Sequence, residues 1–213
     1  MEFSKLTEAV VAFDENRTYT LVDEYLDQGM LANHILKAFR NGMSTLGDMY
    51  KREEIFVSDM MFAGEIMRNV MKKLKPVLVN EGGLKEVFGK VIIGTVKGDI
   101  HDLGKDLVIM ILRGNGFEVV DLGVDVPYEK VVEAIKSNPD SKILGLSVLL
   151  TSVFQATTMT VEAIKGAGLR DKVKIMVGGG PVTPKVAKET GCDFFGEDAV
   201  TGLNYVREVY GVP

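Results

Sequence analysis

The residues best suited to chemistry in this chain are Asp99, His101 and Gly104, spaced Asp-x-His-x-x-Gly just after the apolar run Val91-Ile92-Ile93-Gly94-Thr95-Val96. A buried strand ending in a tight loop would present a carboxylate and an imidazole two residues apart, the pairing that a metal-ligating histidine needs. A carboxylate on one ring nitrogen fixes the tautomer and makes the other nitrogen the better donor. Gly104 would let the backbone approach a large ligand where any side chain would collide. Alone, His101 would read as an ordinary loop or core histidine; in register with Asp99 and Gly104 it reads as a metal ligand.

Other candidates are weaker taken singly. Ser147, Leu149 and Thr151 follow a third apolar run, and Gly178-Gly179-Gly180-Pro181 follows a fourth, but a serine can simply end a strand and Gly-Gly-Gly-Pro is also turn chemistry. The glycines lack the Gly-x-Gly-x-x-Gly spacing of a dinucleotide site, and the first strand leads into Asp-x-His instead of glycines, so a nicotinamide or flavin-dinucleotide reading is poor. Asp121 and Asp125 suggest either a hard-metal site or a loop on the ligand edge of a sheet; the second is favoured, because no further carboxylates cluster with them. His34 falls on a helix with no acidic neighbour at metal-binding spacing and reads as structural or solvent-facing. Cys192 is the only cysteine, which rules out an internal disulfide, a Cys-rich zinc site and a chain-encoded iron–sulfur cluster. No Ser-His-Asp, Cys-His or zinc-hydrolase constellation is present, so no independent catalysis is assigned.

The elements that must position these residues change period once. From Ser4 to about Val79 the pattern is helical, with Ser4 as the first N-cap, a turn at Asp14-Glu15-Asn16, a second helix ending near Gly29, and a third over Ala32 to Tyr50. Phe56, Met60, Ala63, Met67 and Met71 line one face of a fourth, giving a four-helix bundle. Pro76 and Gly82-Gly83 mark a linker and hinge, so residues 1–88 form a helical domain with its linker at about 76–88. Residues 89–213 alternate strands (Lys90–Val96, Phe117–Leu122, Lys142–Val148, Val173–Val177, Cys192–Phe195) with helices, the pattern of a parallel α/β sheet. In flavodoxin-like order 2-1-3-4-5, ligands bind at the carboxyl ends of the first and third strands, where His101 and Ser147 fall. Eight of the eleven methionines lie within residues 1–80, where a methionine stripe is usually core filler. A net charge of −5 with no basic run argues against a grip on nucleic acid. Met1 to Asn16 is amphipathic and acidic, unlike a signal peptide, and no apolar run is long enough to span a membrane. The reading is a cytoplasmic enzyme or carrier.

Taken in order, several segments resemble one family. They are Phe56-Val57-Ser58-Asp59-Met60-Met61-Phe62-Ala63-Gly64-Glu65-Ile66-Met67, Gly98-Asp99-Ile100-His101-Asp102-Leu103-Gly104-Lys105, Asp121-Leu122-Gly123-Val124-Asp125-Val126-Pro127, Ser147-Val148-Leu149-Leu150-Thr151 and Gly178-Gly179-Gly180-Pro181. The whole chain is similar to the small corrinoid proteins of methylamine, methanol and methoxylated-aromatic methyltransferase systems, and to the cobalamin-binding part of cobalamin-dependent methionine synthase. The resemblance implies a Rossmann-like cobalamin domain under a helical cap. His101 would bind cobalt in place of the cofactor's own base, and Asp99 would hold the imidazole. Ser147, Gly178 and Gly179 would leave a slot open for the displaced nucleotide tail, with Gly180 where the family often has alanine. Phe56, Met60 and Met67 would cap the upper face of the corrin.

The implied function is a methyl carrier between a substrate:corrinoid methyltransferase and a corrinoid:acceptor methyltransferase, using tetrahydrofolate or a thiol as acceptor and served by a reductive activation protein. A cobalamin-dependent sensor is the alternative of another class, and the cobalamin module of a radical isomerase is a third. One departure stands out: methionine synthase continues its relay from the aspartate to a serine where this chain has Val153. Any relay here would be shortened, or would use Thr151, Ser152 or water.

Overall fold

A computed structural model describes residues 3–81 and 87–212. They fall into two compact units, Met1–Val87 with Arg113–Gly116, and Phe88–Leu112 with Phe117–Pro213.

The first unit is helical: α1 (Ser4–Val11), α2 (Glu15–Asp27), α3 (Ala32–Lys51) and α4 (Val57–Asn80). Asp14 caps α2 by accepting the Arg17 N–H at 2.9 Å, so the expected turn at Asp14 is a true helix start. Ser4 is not an N-cap; Phe3 holds that position with no side-chain bond, and Ser4 is already helical. α3 lacks a cap of its own, and the Ala32 N–H donates instead to Glu81, just past α4, at 2.8 Å. A Cβ on Gly42 would stand 2.7 Å from Val10 Cγ1, so glycine is what lets α3 lie this close to α1. A polar seam joins α2 to α4: Asn69 donates to the Tyr19 hydroxyl, which donates to Glu15, and Lys73 pairs with Asp23.

Pro76 lies within α4, contrary to its expected place in a linker. The buried stripe Met60, Ala63, Met67, Val70, Leu74, Leu78 runs straight past it. An interior proline costs a helix about 3 kcal/mol, whereas burying Leu74 and Leu78 is worth about 2 kcal/mol each, so packing carries the helix through. Gly82-Gly83, the other half of the expected linker, lies outside the described residues. Phe56 precedes α4 and stands apart from the buried stripe.

The second unit is a five-stranded, all-parallel sheet in the order β2-β1-β3-β4-β5. Its strands are β1 (Gly89–Thr95), β2 (Phe117–Asp121), β3 (Ser141–Ser147), β4 (Lys174–Gly178) and β5 (Phe194–Gly196). The connecting helices are α5 (Leu103–Gly114), α6 (Tyr128–Ser137), α7 (Phe154–Gly166) and α8 (Pro184–Glu189), and α9 (Ala199–Tyr210) closes the fold. The order is the one expected. Between β1 and β3 the chain leaves in opposite directions, and this parting of loops makes the crevice typical of such sheets. Ile92, Leu144, Leu146, Ile175 and Val177 lie in the core.

Register lines up the carboxyl ends of four strands in one row of small residues: Thr95 opposite Ser147, Ser147 opposite Gly178, and Gly178 opposite Gly196. β5 starts at Phe194, two residues later than expected. Asp193 is drawn off instead to accept the Ile175 N–H and to pair with Arg170, each at 2.7 Å.

The glycines after β4 are not equivalent. A Cβ on Gly179, whose φ is +133°, would fall 1.9 Å from the Val148 carbonyl oxygen, whereas one on Gly180 would only touch Leu149 Cδ1 at 3.4 Å. Gly179→Ala should therefore cost more than about 3 kcal/mol of stability, and Gly180→Ala less than about 1 kcal/mol, as measured by urea denaturation of the ligand-free protein.

Candidate functional site

The site is built on the loop between β1 and α5. Thr95 ends β1 fully buried, and its hydroxyl donates to the His101 carbonyl at 2.9 Å, closing the loop on its own root. Gly98 turns the chain with φ +86°, a left-handed conformation that glycine adopts without strain. Asp99 follows at 0% exposure. Asp102 passes its carbonyl to the Asp106 N–H at 2.7 Å and so starts α5.

Asp99 is a buried carboxylate with its acceptor capacity taken up. One oxygen accepts the His101 backbone N–H at 3.1 Å and meets His101 Nδ1 at 2.6 Å; the other accepts the Leu149 N–H from the loop after β3 at 2.6 Å. Burial alone would raise its pKa, but the bonds from Leu149 and His101 outweigh it and hold the group below the ordinary carboxylate value. An ionised Asp99 only accepts, so Nδ1 must carry the proton. The lone pair of His101 then lies on Nε2, at the opposite end of the ring. The His101 side chain keeps 48% of its surface exposed, against none for Asp99. One end of the imidazole is clamped and the other is open.

The surroundings suit a broad ligand. Ile100, Leu103, Val124, Leu149 and Leu150 are exposed apolar residues on this edge, and a Cβ on Gly104, in the first turn of α5, would enter open space. Among the described residues there is no group of three or more His, Cys, Asp or Glu side chains that could hold a metal ion.

Two sets of contacts escaped the sequence reading. Lys105 is buried on α5 and pairs with Asp121 at 3.0 Å and with Asp106; burial would lower its pKa, yet the two carboxylates hold it above the usual value. Asp125 accepts the Gly98 N–H at 2.8 Å and pairs with Lys97 at 3.0 Å, and these contacts hold its carboxyl below the usual value. Asp121 and Asp125 therefore each serve a lysine and a loop, in line with the favoured reading of a ligand-edge loop. The signal was present in the alternation of Asp, Gly and Asp before Pro127, but only the fold shows what each carboxylate meets.

The far oxygen of Asp99 meets the Leu149 backbone N–H, Thr151 and Ser152 are exposed, and Val153 packs against Gly98. Ser147, Gly178 and Gly179 do come together, but the two glycines are already needed within the chain: a Cβ on Gly178 would sit 2.9 Å from the Gly196 carbonyl oxygen, and one on Gly179 1.9 Å from that of Val148. Phe56, Met60 and Met67 belong to the helical unit. Phe56 is 75% exposed, beside the exposed Val57, Met61 and Phe62, while Met60 and Met67 are buried at 0% and 4%. His34 is exposed and meets the edge of the Phe3 ring.

A flavodoxin-like sheet whose edge carries one oriented imidazole amid exposed apolar residues has the form of a binding module for a large organic ligand. Residues 89–204 and residues 2–75 each match a family described as B12 binding domain. The chain belongs to the B12-binding corrinoid proteins, and its ligand is cobalamin or a related corrinoid. It is 36% identical over 207 residues to trimethylamine corrinoid protein 1 of Methanosarcina acetivorans, covering 97% of this chain and 95% of the relative. A cobalamin-binding protein from Desulfitobacterium hafniense has a structure matching with a TM-score of 0.78 at 35% identity, over 97% of both chains. The methanol:cobalamin methyltransferase complex of Methanosarcina barkeri shares the fold, with a TM-score of 0.86 at 24% identity over 99% of this chain and 80% of that one. No helix among the described residues is long and apolar enough to cross a membrane.

If Gly104 is kept for the ligand and not for the fold, the two can be separated. Gly104→Ala should leave the stability of the ligand-free protein unchanged or raised by up to about 1 kcal/mol, since alanine is the better helix former. The same substitution should weaken cobalamin binding by about tenfold or more, or about 1.4 kcal/mol, as measured by equilibrium titration.

Proposed function

We propose that this protein carries methyl groups on a bound corrinoid whose cobalt is ligated by His101, and that it does so between two separate methyltransferases. The observation that carries the proposal is the clamped imidazole, with Nδ1 on a buried carboxylate and Nε2 free at an exposed apolar edge. The corrinoid would supply the chemistry, a cobalt nucleophile able to take a methyl group from a donor and pass it to an acceptor.

Each residue has a part. Asp99 keeps Nδ1 protonated and so keeps Nε2 a ligand, and Leu149 and Thr95 keep Asp99 and His101 from turning. Gly98, Asp102 and Gly104 shape the loop against the ligand, and Ile100, Leu103 and Leu149 keep water away from it. Ser147, Gly178, Gly179 and Gly180, with Thr151 on the neighbouring loop, flank the place for the nucleotide tail. In the helical domain, residues 1–88, Phe56 with Val57, Met61 and Phe62 offers the exposed surface of a cap, and Met60 and Met67 support it from beneath.

Likeness to the Methanosarcina barkeri methanol:cobalamin methyltransferase complex supports a methyltransferase as partner, and likeness to the trimethylamine corrinoid protein of Methanosarcina acetivorans supports a methylamine as donor. Tetrahydrofolate or a thiol is the acceptor. A reductive activation protein, which would return accidentally oxidised cobalt to its reduced state, completes the set of partners. A lone free cysteine, Cys192, fits a cytoplasmic setting.

The test uses the protein loaded with cobalamin. Electron paramagnetic resonance of the divalent cobalt state should show nitrogen coupling that vanishes in His101→Ala and falls about 10–100-fold in ligated fraction in Asp99→Asn. Labelled methyl from a methylamine should reach a thiol only when donor and acceptor methyltransferases are both present. Coupling that survives His101→Ala overturns the ligation. No transfer across a broad donor panel, with a corrinoid-dependent change in oligomeric state, overturns the carrier in favour of a sensor.

A further inference from the structure

The residue that fixes the Asp99 turn lies on a different loop. Asp125, between β2 and α6, touches the ligand loop three times: its carboxylate accepts the Gly98 N–H at 2.8 Å, the same carboxylate pairs with Lys97 at 3.0 Å, and its own backbone N–H donates to the Asp99 carbonyl at 2.8 Å. Next to it, Val126 forms a parallel bridge with Val96. The Lys97–Gly98 peptide and the Asp99–Ile100 peptide are thus both held from one residue, while the Asp99 N–H between them donates to the Val96 carbonyl at 3.1 Å.

Asp125 makes these bonds in an unusual conformation. Its φ is +52°, a left-handed backbone that L-residues other than glycine seldom adopt, although aspartate and asparagine tolerate it best. The turn places the Asp125 N–H and carboxylate on the same side, facing residues 98 and 99. Lys97 and Asp125 are both largely exposed, so solvent screens their attraction, and the two backbone bonds carry the positioning.

We propose that Asp125 is a positioning residue for the cobalt ligand. It sets the Lys97–Gly98 and Asp99–Ile100 peptide planes so that one carboxylate reaches the His101 ring and the Leu149 N–H together. The proposal rests on the reading of His101 as the ligand. It gives Asp125 no contact with the metal and no part in proton movement.

Three variants separate positioning from mere stability. Asp125→Asn keeps an acceptor oxygen and tolerates the left-handed backbone. Asp125→Gly relaxes the backbone and keeps the N–H to Asp99, but removes the acceptor for Gly98. Lys97→Ala removes only the screened ion pair. Each protein is loaded with cobalamin, and the ratio of nitrogen-ligated to unligated divalent cobalt is read by paramagnetic resonance, beside the melting temperature of the ligand-free form. Asp125→Gly should lower the ratio about tenfold, with Asp125→Asn and Lys97→Ala close to wild type. An unchanged ratio in Asp125→Gly overturns the proposal, as does a loss in Asp125→Asn equal to that in Asp125→Gly, or a ratio that simply follows melting temperature across the variants. Wild-type protein without nitrogen coupling gives a distinct result: it overturns the ligation reading, and the role of Asp125 with it.

Discussion

A buried carboxylate must be satisfied where it sits, and Asp99 is satisfied only by the neighbours that this fold brings to it. Desolvating an unpaired carboxylate would cost several kcal/mol. Here two backbone N–H groups and an imidazole N–H offset that cost, one of them reaching across from the loop after β3. The dependence runs both ways. The carboxylate needs β1 and β3 to be neighbours so that residues 99 and 149 meet, and the histidine needs the carboxylate to be an anion so that its free nitrogen is Nε2.

The sheet supplies this geometry through its order and register. Because β1 and β3 are adjacent and their chains leave in opposite directions, the loops at residues 97–102 and 148–151 stand side by side at the carboxyl edge. The row Thr95, Ser147, Gly178, Gly196 keeps that edge low. Backbone approaches set the glycines in this row and just beyond it: Gly178 lies against the Gly196 carbonyl and Gly179 against the Val148 carbonyl. A side chain at Gly179 would push residue 148 and so would move the N–H of Leu149 that Asp99 requires. Fold and site therefore meet at one short segment, Val148-Leu149.

Much of this was legible in the sequence because its carriers are local. Asp99 and His101 are two residues apart, so their pairing follows from spacing, and the parallel sheet follows from the alternation of β-rich and helical runs, with its order taken from the flavodoxin-like pattern. The rest was not local. Asp125 reaches Gly98 across 27 positions and Leu149 reaches Asp99 across 50, and neither bond has a residue-type signature, since each uses a backbone N–H. Pro76 misled for a related reason: a proline reads as a break, and only the burial of Leu74 and Leu78 on either side shows that packing overrides it. Met60 and Met67 entered the cap with Phe56 only through the family resemblance, whereas a methionine stripe reads as core filler, and the stripe they share with Val70 and Leu74 is buried.

The central claim is that the protein fixes the tautomer of His101 before any corrinoid binds. Nitrogen-15 resonance of ligand-free protein labelled in histidine, followed across a pH series, tests it directly. The account predicts a His101 ring protonated at Nδ1 and bare at Nε2, with the Nδ1 proton shifted by its bond to Asp99. A ring protonated at Nε2, or one exchanging freely between the two forms, would contradict it.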